Sequence, residues 1–439
     1  MKILDRVYIV LILLIYRLLL DISYIKFISY YYSYAGFVLS PAPVSIIISS
    51  YILVVITALL YPLSNCGPSN IIIALLYLID FVPATTLTAL AGCDFVSCLS
   101  LMPLYIILFG FSLISPTVNF KISLNGVFLY IFVSTFVFLW VAIFAFKFGF
   151  KFPGNLIDVY DTREEFVQVI GKGASFLSYI MNWQGNIIVP LLISWGIIAK
   201  KYYIALLGIV FNIFLFAVTG HKSQFYSIFF IIWILMGVRY VKKNIIYYMA
   251  FSLSSLIIIF CLIDYCTGSY FLNGIFIRRL LFVPSGLYYL YYDFFSNHSF
   301  TLFSQSKPFS WFVSYPYKVA IPHLIAQHYL NSSQTYANAN VWADGFASWG
   351  LAGMIIIALI MVILLKIIDI ISVNKNIYLV NALIAMPAFC FTNSGLFATI
   401  LGHGLLFAIF INILLPEDNF DYARRRPHEN LRHNYGPPG

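Results

Sequence analysis

GFASWGLAGMIIIALIMVILLK, residues 345–366, places twenty-two positions in a row with a single charge, the lysine at its end. As a helix it would rise about 33 Å, against roughly 30 Å of bilayer hydrocarbon. Comparable runs recur from one end of the chain to the other. Of 439 residues, 62% are hydrophobic, 19% aromatic and 9% charged, whereas a soluble domain carries about 25% charged residues. With a mean hydropathy of +0.92, the chain has too much apolar surface to hide from water. In lipid every backbone amide must be satisfied within its own segment, which helices achieve and isolated strands do not. The runs are continuously apolar, without the alternation of an outer-membrane barrel. These features predict an all-α, polytopic membrane protein of about 12 transmembrane helices. Their approximate positions are 7–20, 43–62, 70–91, 99–116, 125–147, 176–198, 202–219, 224–240, 244–263, 345–366, 377–394 and 397–415. Residues 1–415 read as a single transmembrane domain. The polar, Pro-bearing stretch 416–439 reads as a disordered cytoplasmic tail. MKILDRVYIVLILLIYRLLLD at the N-terminus resembles a signal peptide, but bulky Tyr and Ile follow where a small-residue cleavage site belongs, so it reads as a retained first helix.

Basic residues set the orientation. With the N-terminus inside, the inner connections carry Lys121, Lys200 and Lys201, then Arg239, Lys242 and Lys243, then Lys366 and Lys375. The tail adds Arg424, Arg425, Arg426 and Arg432. Only the connection 63–69 lacks one, and the opposite orientation would place all of them outside. Both termini are therefore expected in the cytoplasm. The formal charge of +9 serves topology and is no sign of nucleic acid. The six cysteines, at 66, 93, 98, 261, 266 and 390, form no CxxC pair and have no His at ligand spacing. They read as small core residues, with a Cys93–Cys98 bridge as the alternative.

Two segments then lie on the extracytoplasmic side, about 148–175 and 264–344. The second is too long for a connector and too aromatic for a disordered linker. Within it, FIRRLLFVPSGLYYLYYDFF and VAIPHLIAQHYL read as interfacial helices. The outer side also collects Arg17, Arg163, Arg278 and Arg279, whose planar forks grip phosphate oxygens bidentately. The plainer readings are that Arg278 and Arg279 snorkel to headgroups, and that Arg163 pairs with Asp161, Glu164 or Glu165 within VYDTREEF (159–166). TGHKSQF (219–225) sets His221 and Lys222 at an outer turn. There they could meet an anion, or Gly220 could simply make the turn and Ser223 cap the next helix. In ANANVWADGFASWGLAG (337–353), Asn338, Asn340 and Asp344 beside Trp342 and Trp349 suit sugar recognition; a helix N-cap with interfacial tryptophans suits them too. Gly345, Gly350 and Gly353 there fit close helix packing. Tyr160 and Tyr288 are further aromatic candidates. His323, His328 and His403 are candidate proton acceptors. HExxH, HxxxH and DxD are all absent, so no metal is expected. Asp80, within the third span, and Asp94 beyond it are costly in lipid unless paired, and the spacing assigns neither a partner.

The ordered set VYDTREEF, GHKSQF, RRLLFVPSGLYYLYYDFFSN and AN-x-N-x-W-A-D-G-F-A-x-W-G-x-x-G resembles the O-antigen polymerases, over about residues 150–410. The resemblance implies a GT-C-like, metal-independent glycosyltransferase at the outer face of a bacterial inner membrane. Donor and acceptor would be undecaprenyl-pyrophosphate-linked oligosaccharides, without a cofactor, and a chain-length regulator would be a partner alongside membrane lipid. The family's important loop arginines map to Arg163 and to Arg278 or Arg279. In that reading these arginines, with Lys222, offset the charge developing on the pyrophosphate leaving group. Asp161, Asp293, Asp344 and His323 are the candidate bases. A lipid A ligase sharing the same donor is the nearest alternative; a transporter or flippase is the alternative of a different class. The polymerase reading expects Arg163, Lys222 and one of Arg278 and Arg279 to face one cavity, their tips within roughly 10–12 Å. Trp342 or Tyr288 would line its water-facing end.

Overall fold

The structure is a computed structural model that describes residues 2–63, 67–113, 126–148, 176–240, 244–306, 309–333 and 335–417. Every regular element among the described residues is helical. In chain order the helices are α1 (Lys2–Ser23), α2 (Val44–Leu60), α3 (Ser69–Leu90), α4 (Phe95–Ser112), α5 (Gly126–Phe148), α6 (Phe176–Ile198), α7 (Tyr202–Thr219), α8 (Lys222–Tyr240) and α9 (Ile245–Thr267). A π-helical run, Asn273–Phe282, leads into α10 (Val283–Asn297), and α11 is Ile321–Leu330. Then come α12 (341–348), α13 (351–371), α14 (Ile377–Cys390) and α15 (Leu405–Leu414). Among the described residues each of the twelve apolar stretches overlaps a helix. Seven helical segments among the described residues are long and apolar enough to cross a membrane, and four shorter apolar ones accompany them. The chain is thus an all-α, multi-pass membrane protein. Residues 418–439 lie outside the described residues.

The chain divides into two compact units: residues 1–115, 236–367 and 385–405 form the first, and 116–235, 368–384 and 406–439 the second. In the first unit α3 is entirely enclosed, as a helix apolar on all sides should be. α1 meets it through a charged pair. Arg17 and Asp21 form a buried ion pair. Arg17 Nε also donates to Thr85 Oγ1 at 2.7 Å and Nη2 to the Thr85 carbonyl at 2.9 Å, while the Tyr51 hydroxyl donates to Asp21 at 2.6 Å. Arg17, grouped from the sequence with the outer cations, is therefore fully engaged inside the bundle.

α10 departs from the interfacial reading of its sequence. Its tyrosines point into the bundle: Tyr289 reaches Thr88 Oγ1 (2.7 Å) and the Ala84 carbonyl (2.9 Å), and Ser285 donates to the Asp80 carbonyl at 3.0 Å. A polar aromatic helix is tolerated there because backbone carbonyls of α3 accept its hydroxyls.

The stretch 345–366 is not one helix. Trp349 (φ −157°, ψ 41°) and Gly350 (φ +58°, ψ −144°) break it. A Cβ on Gly353 would lie 2.1 Å from the Gly345 carbonyl oxygen, yet eight residues of straight helix would separate the two by about 12 Å. The chain therefore doubles back, with α12 packed against α13 through two glycines. Gly350 takes the left-handed conformation that the reversal requires. Carbonyls freed at the break are satisfied from elsewhere: Thr301 N–H donates to Ala347 (3.0 Å) and Leu302 N–H to Ser348 (2.8 Å). The apolar span begins at Leu351.

In the second unit α6 and α7 touch at Gly196, where a Cβ would lie 2.3 Å from the Ala205 nitrogen. A core around Ile193, Phe214, Leu215 and Ile231 fills the space beside them. Lys375, one of the orienting basic residues, has a structural task as well. Its ammonium donates to the Leu415 and Ile413 carbonyls, at and just beyond the end of α15, where a cation suits the helix dipole. Burial holds its pKa below the usual lysine value.

The orientation has a direct check. In a Cys266→Ser background, since Cys266 is exposed, a membrane-impermeant thiol reagent is expected to label His298→Cys in intact spheroplasts and to miss Tyr202→Cys. The reverse pattern would invert the topology.

Candidate functional site

The site grows from the junction after α9. Asp264, in its last turn, accepts from the Leu272 (3.3 Å) and Asn273 (2.8 Å) amides and from Asn273 Nδ2 (2.8 Å). It thereby starts the next helical segment. Asn273 Oδ1 in turn accepts from Ser23 Oγ (3.0 Å) and Cys261 Sγ (3.3 Å). The π-helical run is thus tied to the ends of both α1 and α9.

Tyr32 lies along this run. A Cβ on Gly274 would sit 1.8 Å from the Tyr32 hydroxyl, so only glycine admits the ring. The hydroxyl donates to the Tyr270 carbonyl at 3.3 Å. The Arg278 guanidinium lies over the same ring, 4.3 Å from its centroid, and 6.0 Å from that of Phe37. Cation–π contacts of this kind contribute roughly 0.5–2 kcal/mol. Arg278 is half-buried, and its Nε has no hydrogen-bond partner. Neither Arg278 nor its exposed neighbour Arg279 has a carboxylate partner among the described residues. Burial lowers the Arg278 pKa, and the charge of Arg279 adds to the effect. Two adjacent cations, one resting over an aromatic ring and neither ion-paired with an acid among the described residues, have the chemistry to meet an anion.

The other candidates fall into three groups. Arg163, Asp161 and Tyr160 lie outside the described residues. His221 and Lys222 belong to the second unit. Gly220 (φ +64°) ends α7 and makes the turn there, His221 Nδ1 pairs with the Thr219 carbonyl at 2.8 Å, and Lys222 opens α8. Arg278, Arg279 and the remaining candidates belong to the first unit.

Within that unit, Tyr288 and Trp342 are core side chains with no exposure. Tyr288 donates to the Ser97 carbonyl at 2.9 Å, and Trp342 Nε1 to the Tyr105 hydroxyl at 3.1 Å. Neither leaves a ring face for a sugar, in correction of the expectation from their sequence context. Asn340 is buried and caps α12, accepting from the Ala343 amide at 3.0 Å; Asn338 is exposed. Asp344 is engaged by Gln305 Nε2 at 3.3 Å and by the Leu396 amide, and a Cβ on Gly395 would strike its carboxylate at 2.4 Å. It ties α12 to the turn after α14. Asp293 is exposed and accepts from the Tyr329 hydroxyl, whose pKa burial and this contact raise. His323 has its ring 4.0 Å from that of Tyr336 and its Nδ1 without a partner.

Asp94 has a partner after all: it caps α4, accepting from the Ser97 amide at 2.7 Å. Asp80 is enclosed in α3 with the Asn340 side chain beside it. Cys93 and Cys98 are free thiols. Among the described residues no three His, Cys, Asp or Glu side chains gather as metal ligands. The sequence reading missed Tyr32, Gly274 and Asp264. Its available signal was YYYSY at 30–34, a dense aromatic cluster at the end of the first helix. Compared with known protein families, characterised proteins and solved structures, the chain has no match.

Proposed function

We propose that the chain is a membrane glycosyltransferase that polymerises undecaprenyl-pyrophosphate-linked oligosaccharide repeat units into O-antigen or a related surface polysaccharide. In this reading it is a GT-C-like protein of about twelve spans, working at the periplasmic face of a bacterial inner membrane. The observation that carries the reading is the Arg278–Arg279 pair, with Arg278 resting over Tyr32 and neither cation ion-paired with a carboxylate among the described residues. Transfer breaks the bond between the anomeric carbon and the pyrophosphate oxygen, which leaves with the electron pair. A hydroxyl of the acceptor forms the new bond and gives its proton to a base. Fixed cations at the departing pyrophosphate supply the larger effect, about 10²–10³-fold for each well-placed donor. A positioned base adds roughly 10²–10⁴-fold.

Of the candidate bases, Asp344 is engaged by two donors, whereas His323 has an unpartnered nitrogen and Asp293 is exposed. His323 and Asp293 are the two we favour. A chain-length regulator remains a proposed partner. One observation favours the transporter reading: Asp80 is a carboxyl enclosed in α3, beside Asn340.

Deletion of the gene decides among these. Loss of a polymerase is expected to leave lipid A capped with a single repeat unit, whereas loss of a ligase or a flippase leaves lipid A uncapped. Uncapped lipid A, restored by re-expression of the chain, would overturn the proposal.

A further inference from the structure

Beside Arg278 the chain presents one more donor. The turn Ser33–Ala35 closes on Gly36, which takes φ +87°, and it holds Tyr34 outward, 82% exposed. The Tyr34 ring lies 6.1 Å from that of Tyr32, on which the guanidinium rests. The two phenols differ in what they can offer. The Tyr32 hydroxyl is committed to the Tyr270 carbonyl, whereas the Tyr34 hydroxyl has no partner among the described residues. Stacking of Tyr31 on Tyr270, with centroids 4.4 Å apart and planes 17° from parallel, anchors the base of the turn. Among the described residues no carboxylate forms an ion pair with Arg278 or Arg279.

We infer that Tyr34 is the third arm of the anion site. Its hydroxyl donates to a phosphate oxygen while Arg278 and Arg279 hold the charge. Resting on the proposed function above, this makes Tyr34 a substrate-binding residue for the pyrophosphate. Three donors on two separate segments, 30–36 and 273–282, match the spread of a diphosphate better than a single phosphate group. The phenol therefore contributes selectivity for pyrophosphate over monophosphate.

The test is calorimetric titration of the full chain in zwitterionic nanodiscs with inorganic pyrophosphate and with inorganic phosphate. Tyr34→Phe removes the hydroxyl and keeps the ring. It is expected to weaken pyrophosphate binding about tenfold, as for a hydrogen bond to a charged group, and to leave phosphate binding nearly unchanged. Tyr30→Phe, equally exposed but away from Arg278, should bind as the wild type does. Wild-type affinity in Tyr34→Phe, with binding abolished in Arg278→Ala, would overturn the role of Tyr34 and leave the arginine clamp standing. Absence of pyrophosphate binding by the wild type would sink the clamp and Tyr34 with it. Loss of binding in phosphatidylglycerol nanodiscs alone would assign the site to lipid headgroups and also overturn the inference.

Discussion

Arg278→Lys is expected to reduce polymerisation about hundredfold or more while the protein accumulates at its normal level. Lysine keeps the charge but replaces a planar fork that rests over the Tyr32 ring with a compact, strongly hydrated ammonium. Two contacts are lost together: the stacking that fixes the cation, and bidentate hydrogen bonding to phosphate oxygens. Loss of one preorganised donor to a developing anion lowers rates by about 10²–10³. The partly exposed position of Arg278 leaves folding little affected. The measurement is the glycan ladder in a deletion strain complemented with the variant, alongside protein quantified in membranes. A normal ladder at normal expression would reduce Arg278 to a headgroup anchor.

Gly353→Ala should destabilise the first unit by about 3 kcal/mol or more. The added Cβ would sit 2.1 Å from a backbone carbonyl oxygen, that of Gly345, and backbone on both sides of a packed helix pair has no rotamer into which to retreat. Overpacking of this kind typically costs about 1–3 kcal/mol and occasionally more. Gly286→Ala is the contrast. Its Cβ would meet nothing nearer than 3.7 Å, so its stability should stay within about 1 kcal/mol of the parent. Thermal unfolding of both variants in detergent gives the comparison. Equal melting temperatures would mean that α12 does not fold back on α13.

The helices were legible wherever a turn residue or a charge closes an apolar run. α7 lies where its sequence places it because Lys201 precedes it and Gly220 ends it. The break at Trp349 and Gly350 was not legible. Hydropathy counts methylene groups, and a reversal made by one glycine at φ +58° leaves the count unchanged. Arg278 and Arg279 stood out as paired cations in an oily chain, but their support did not, because Tyr32 and Tyr270 are 238 residues apart in sequence. Tyr288 and Trp342 misled for a related reason. An aromatic ring with a polar tip is equally suited to a wet surface and to a core that offers an acceptor, and only the acceptors, the Ser97 carbonyl and the Tyr105 hydroxyl, decide which.

The first helix carries two ionised side chains into lipid, and the timing of their relief during synthesis follows from where their partners stand. An arginine inside an inserting helix is costly until it is paired. For Arg17 the partners are Asp21, Ser50 and Thr85, all present once the third helix has left the ribosome. Tyr32 waits far longer, since Tyr270, Gly274 and Arg278 arrive only after the ninth helix. Nascent chains can therefore neutralise Arg17 long before the contact between Tyr32 and Arg278 can form.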